Sequence, residues 1–164
     1  MPLPSSRIIF LLLAIGCAGA IAAALYMEHA MGLEPCPLCI FQRVFVIVAG
    51  LISLIAAIHH PQILGIRIYG ALVIASAVTG GGIAIRQLWL QSLPEDQVPA
   101  CGPSLDYLLD VFPLTEVINM VLSGDGSCAE VQWTFLGLSI PGWTLVGFVG
   151  LAAIGIFQIV RPRR

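Results

Sequence analysis

Four stretches of the chain are almost unbroken runs of apolar positions: Ile8 to Tyr26, Ile40 to Ile58, Ile68 to Ile85, and Trp143 to Val160. Each approaches the roughly 20 residues that an α-helix needs to cross the hydrocarbon of a bilayer. Between the third and fourth runs the pattern changes. Residues 91–142 are punctuated by Pro94, Pro99 and Pro103, so that segment begins as a loop. Within it Leu105, Leu108, Leu109, Phe112, Val117, Ile118 and Val121 alternate with Asp106, Asp110, Glu116 and Asn119. That spacing predicts an amphipathic helical segment over 105–122, broken at Pro113 and lying along the bilayer surface, with a small packed helical pair as the alternative. The expected fold is an all-α integral membrane protein of one domain. Four transmembrane helices form a bundle, with a short outer loop at 27–39 and a long one at 91–142.

Composition strengthens that picture. Of the 164 residues 59% are hydrophobic and only 10% charged, against roughly 25% charged in ordinary soluble domains. All seven basic residues are arginines, and no basic patch suggests a nucleic-acid partner. Arg7, Arg67, Arg161, Arg163 and Arg164 fall in the N-terminal tail, the middle loop and the C-terminal tail, whereas the nine carboxylates lie within 28–34 and 95–130. The positive-inside rule therefore places both termini in the cytoplasm and both acidic loops outside, in the periplasm or an equivalent space. A cleaved signal is not expected, because the first run exceeds the roughly 7 to 15 apolar residues of a signal core. Arg43 and Arg86 break the charge rule at the outer helix ends, which invites a functional explanation, although an arginine there can also snorkel to the headgroups.

The same topology sorts the cysteines. Cys36, Cys39, Cys101 and Cys128 face the oxidising side, while Cys17 sits inside the first run as an apolar packing residue. In Cys36-Pro37-Leu38-Cys39, Pro37 suits a first helical position, so Cys39 falls in the first turn among unpaired backbone N–H groups. The positive helix end and Arg43, one turn further along, both favour a thiolate there. Spacing alone serves redox and metal chemistry alike, so a structural disulfide or half a zinc site is the competing reading. Cys101 is expected on an extended, accessible stretch, and Cys128 at the end of the mobile glycine-rich turn Ser123 to Cys128. Trp133, Phe135, Leu136, Ile140 and Trp143 predict an interfacial belt. His29 reads as interfacial, His59-His60 as an inner turn, and Ser76 and Gly80-Gly81-Gly82 as small residues for close helix approach.

Taken together, Cys36-Pro37-Leu38-Cys39-Ile40 with Arg43, Pro99-Ala100-Cys101, Ser127-Cys128-Ala129-Glu130 with Trp133, and Phe135-Leu136-Gly137-Leu138 resemble the bacterial DsbB family of disulfide bond formation proteins, along essentially the whole chain. The resemblance implies a four-helix inner-membrane oxidase that reoxidises the periplasmic dithiol oxidase DsbA and passes electrons to ubiquinone or menaquinone. It implies that Cys101 and Cys128 form the loop disulfide attacked by DsbA, and that Cys128 then attacks Cys36. Cys39 is thereby freed as the thiolate facing the quinone, beside Arg43. Gln42 and Gln87 stand where some members carry an acidic residue and a histidine. Both amides can hydrogen-bond a quinone, but neither donates a proton at neutral pH, which leaves the proton donor unassigned, as is the role of Arg86. Three rivals stand beside this reading. A zinc tetrathiolate would need the four cysteines in one tetrahedral cluster. A tetraspanin-like organiser would not explain a cysteine pair at a helix mouth. Vitamin K epoxide reductase-like proteins carry their two cysteine pairs in the reverse order.

Overall fold

A computed structural model describes residues 5–102 and 105–161; Pro103, Arg163 and Arg164 lie outside the described residues. Four long apolar helices dominate: α1 (Ser6–Met31), α2 (Pro37–His59), α3 (Ile63–Gln91) and, at the C-terminal side, α7 (Ile140–Val160). All four are long and apolar enough to span a bilayer, and the protein is a multi-pass, all-α membrane protein. Their outward faces carry exposed side chains such as Leu12, Ile15, Ile55, Leu72, Val149 and Ile156. In water this would be untenable. Against lipid tails it is the expected surface.

Each helix overruns its apolar stretch, and local chemistry explains where it stops. Ser5 caps α1 through its side chain, and the helix continues through Glu28 and His29 until Gly32 closes it in the left-handed region at φ 68°. The polar turn expected at Glu28-His29 is therefore the last turn of α1. Pro37 opens α2 as expected, with Cys36 at the N-cap, its sulfur accepting from the Cys39 N–H. The inner turn shrinks to residues 60–62, closed by His60 at φ 49°.

The bundle is held by three pairings, α1 with α2, α2 with α3, and α3 with α7. Small residues make the last one close. A Cβ on Gly70 would stand 3.2 Å from the Gly155 carbonyl oxygen, and one on Gly155 would stand 3.1 Å from that of Gly70, so the two backbones nearly touch. Gly80 admits the ring of Phe148, whose Cζ would meet an added Cβ at 2.3 Å. Ser76 ties α3 to α2 by donating to the Phe45 carbonyl at 2.9 Å.

The long connection folds back over the helix mouths. A short 3₁₀ turn (Glu95–Gln97) leads to α4 (Leu105–Val111), α5 (Leu114–Ser123) and α6 (Gly126–Ala129), followed by a hairpin of β1 (Thr134–Phe135) and β2 (Leu138–Ser139) in register Thr134 with Ser139 and Phe135 with Leu138. The predicted break at Pro113 is present, Pro113 serving as the N-cap of α5. The amphipathic segment over 105–122 packs one of its faces on the bundle. Leu108, Val117 and Val121 are buried against Leu38, Ile83, Leu90 and Cys128, while Tyr107, Leu109, Leu114 and Leu122 remain exposed. One face of this pair belongs to the protein core and the other carries exposed apolar side chains. The hairpin was not expected; Leu136 and Gly137, at φ 51° and 80°, make its turn.

Candidate redox site at the loop end of the bundle

The site starts from one cap. Because Cys36 is held at the N-cap of α2, its sulfur points back over the first turn, and Cys39 returns to the same face three residues later. The two sulfurs stand 3.0 Å apart. Cys128 reaches this pair from the loop. Asp125 caps α6, its Oδ1 accepting from the Cys128 N–H at 3.3 Å and from the Ser127 hydroxyl at 2.5 Å. This short helix drives Cys128 inward until it is 1% exposed and packed with Cys36 in one buried cluster. Cys128 is thus not displayed at the surface of the glycine-rich turn but buried beneath it.

Cys101 lies just outside, exposed, in a stretch without helix or strand. The Gly126 N–H donates to the Ala100 carbonyl at 3.3 Å, and a Cβ on Gly126 would stand 3.0 Å from the Cys101 sulfur. Only glycine lets the strap bearing Cys101 lie this close to α6. The sequence-derived set of four cysteines therefore converges on one end of the bundle, with Cys36 between Cys39 and Cys128. Cys17 is elsewhere, buried against Gly50 in the α1–α2 contact. Among the described residues no three Cys, His, Asp or Glu side chains are arranged as a metal-ligand set.

Thiol electrostatics outside the spans follow the hydrogen bonds. Cys36 donates to Cys128 and to Cys39 and is desolvated, which together hold its thiol well above the ordinary range. Cys128, receiving the bond from Cys36 and further bonds from backbone groups of Leu38 and Asp125, is shifted below the ordinary thiol value despite its burial. The loop sulfur facing Cys36 is thus the better nucleophile of the two.

Two glutamines complete the inner wall. Gln87 Nε2 lies 3.2 Å from both the Cys36 and the Cys39 sulfurs, while its Oε1 accepts from Gln42 Nε2 at 2.7 Å. Both side chains are buried. Arg43 makes contacts beyond those expected. It forms an ion pair with Glu28 on α1 and donates from Nη2 to the Ala24 carbonyl at 3.4 Å, so it braces α2 against α1 as well as bordering Cys39. The sequence marks Glu28 only as part of a polar turn. Its signal was a lone carboxylate at the outer end of an apolar run, at the depth of the exceptional Arg43. Arg86, unassigned in the sequence, donates to the Leu122 and Ser123 carbonyls at 3.3 and 3.0 Å and stacks over Trp89 with its guanidinium carbon 4.3 Å from the ring centroid. It caps the C-terminal end of α5.

A cavity of about 720 Å³ opens beside the sulfurs. Cys39, Gln42, Arg43 and Gln87 line one end, and it continues between α1 and α7 past apolar walls such as Leu13, Ala20, Phe148 and Leu151. Trp133, Phe135 and Trp143 also line it, with Trp133 stacked on Phe135 at 5.9 Å and Trp143 Nε1 donating to the Phe135 carbonyl at 3.0 Å. The expected interfacial aromatics are therefore partly a hairpin brace.

Comparison with known proteins gives the family. The family model for disulfide bond formation protein DsbB matches residues 6–158. The chain is 58% identical over 159 residues to disulfide bond formation protein B of Saccharophagus degradans, covering 97% of this chain and 96% of that protein. It is 58% identical over 157 residues to the protein of that name from Marinobacter nauticus, covering 96% and 94%, and 52% identical over 160 residues to that of Hahella chejuensis, covering 98% and 97%. With four spanning helices and a matching model along nearly its whole length, this chain belongs to the DsbB family of disulfide bond formation proteins.

Proposed function

We propose that the chain is a quinone-dependent membrane thiol oxidase that reoxidises a periplasmic DsbA-type dithiol oxidase and supplies the respiratory quinone pool with the electrons. The observation that carries this reading is the position of Cys36, whose sulfur stands 3.0 Å from that of Cys39 on the helix side and which packs with Cys128 of the loop in one buried cluster. One sulfur is thus shared by the loop and the membrane site. Beginning from the two disulfides Cys101–Cys128 and Cys36–Cys39, a partner thiolate attacks exposed Cys101. A bond forms to the Cys101 sulfur, and Cys128 departs with the electron pair. The partner's second thiol completes its own disulfide and releases Cys101. Cys128 then attacks Cys36, the Cys36–Cys39 bond breaks, and its electron pair stays on Cys39.

Each partner dithiol delivers two electrons and two protons, and ubiquinone or menaquinone, when bound, supplies an acceptor for both. The residues present suit such a molecule. Arg43, Gln42 and Gln87 offer donors for ring oxygens at the sulfur end, and the apolar walls between α1 and α7 suit a prenyl tail. Trp133 and Phe135, which also line the cavity, help to exclude water. Orientation follows from charge: Arg7, Arg67 and Arg161 lie at one end and the carboxylates of the loops at the other, which supports cytoplasmic termini and a periplasmic relay.

The entry step is tested by mixing the oxidised chain with a DsbA-type oxidase that retains only its attacking cysteine. A stable mixed disulfide mapped to Cys101 is expected, and none with Cys101→Ser. Equal cross-linking of the Cys101→Ser chain would contradict the assigned entry point.

A further inference from the structure

The buried glutamines do more than border a cavity. Amide geometry allows Gln87 two donors on Nε2 and acceptance on Oε1. Oε1 takes the 2.7 Å bond from Gln42, which turns Nε2 toward the sulfurs, 3.2 Å from each; Oε1 itself is farther from Cys39, at 3.5 Å. With Gln42 3% and Gln87 2% exposed, bulk water does not compete for these bonds. Two N–H donors therefore face the two sulfurs between which a bond breaks.

We propose that Gln87 is a catalytic residue of thiol exchange, its Nε2 bridging Cys36 and Cys39 to receive the negative charge that bond cleavage leaves on sulfur, with Gln42 as the positioning residue that fixes the amide in that orientation. This rests on the thiol-oxidase reading above. In the exchange the Cys128 thiolate forms the bond to Cys36 while the pair of the Cys36–Cys39 bond passes to Cys39. No proton has to arrive, because an amide donor stabilises the leaving sulfur without transferring one. A neutral donor also remains a donor at every physiological pH, unlike an imidazole or a carboxyl group at the same place. The role is additional to binding a quinone oxygen, for which Arg43 and the second Gln42 N–H remain as donors while Gln87 Nε2 faces the sulfurs.

The test needs neither quinone nor partner protein, so its failure is separable from failure of the thiol-oxidase reading, which quinone reduction by the native chain measures. The full chain in detergent is reduced and pulsed with iodoacetamide at pH 7, and alkylation of Cys39 and Cys101 is read separately by mass spectrometry. Hydrogen bonds to charged groups carry enough energy to change Cys39 reactivity about tenfold. Gln87→Met, which keeps chain length and removes both donors, is expected to slow Cys39 by about that factor and leave exposed Cys101 unchanged. Gln42→Met touches no sulfur, yet is expected to slow Cys39 several-fold by releasing the Gln87 amide. A Gln87→Met chain with native Cys39 reactivity would overturn the proposal. Should that variant fail to fold, Gln42→Met decides alone: a Cys39 rate equal to native, with Cys101 also native, overturns it.

Discussion

At the scale of residues, what distinguishes this site is that each cysteine has been given a different environment by an identifiable neighbour. Cys36 is kept protonated by donating to two sulfurs, and Cys128 is favoured as a thiolate by receiving one of those bonds. Removing the donor should remove the effect. In Cys36→Ala the ionisation of Cys128 is expected to move to higher pH, so that its alkylation at neutral pH slows while the slope against pH persists; a titration of Cys128 alkylation from pH 5 to 10 measures it. Arg43 is set by a different contact. Its pairing with Glu28 joins the end of α1 to the start of α2, so Glu28→Gln is expected to raise the apparent KM for quinone severalfold and leave the rate of mixed-disulfide formation at Cys101 native. Steady-state kinetics with quinone and partner varied in turn separates the two. Cys36, Cys39 and Arg43 were legible because Pro37 and the apolar run fix their phase on one helix. The Arg43–Glu28 pair was not, because it depends on how far α1 continues past its apolar stretch, which Gly32 decides and hydropathy does not.

Elements tell a similar story about what a one-dimensional pattern carries. The four spans stand out because hydrocarbon leaves a helix almost no freedom in composition, whereas their ends do not, since a helix protruding into water tolerates Glu28, His29 or Gln91. The stop at Pro113 was legible from a single residue. The hairpin escaped notice because two-residue strands have no period to read, and its turn places Leu136, not the usual asparagine or glycine, at a positive φ. Small residues in α3 could be recognised as contact positions, but not which of them matter. Gly80 is filled by Phe148, while a Cβ on Gly82 would meet nothing within 4 Å. Gly80→Val is therefore expected to cost about 1–3 kcal/mol through overpacking, and Gly82→Ala to be neutral or mildly stabilising through helix propensity. Thermal unfolding in detergent of the two variants and the native chain measures the contrast.

For the molecule as a whole, the long loop is the part whose role changes most once it is seen folded. Residues 105–129 close over the helix mouths, and one buried cluster joins Leu108, Val117, Val121 and Cys128 to Cys36, Leu38, Ile83 and Leu90. The loop thereby brings its buried cysteine to the membrane pair while leaving Cys101 at the surface. That long-range arrangement could not be read from spacing, because Cys36 and Cys128 meet only through the packing of α5 and α6 on α2 and α3. In the proposed relay this arrangement would make transfer between the loop and the membrane site a short internal exchange. The most direct measurement of the relay is a single turnover: the purified chain in quinone-containing detergent is mixed rapidly with a reduced DsbA-type oxidase, and quinone absorbance is followed for the native chain, Cys39→Ser and Cys101→Ser. Rapid quinone reduction by the native chain, lost in both variants, is the expected result. Quinone reduction that survives either substitution, or none by the native chain while it holds one zinc ion per chain, would contradict a relay from Cys101 through Cys128 and Cys36 to Cys39.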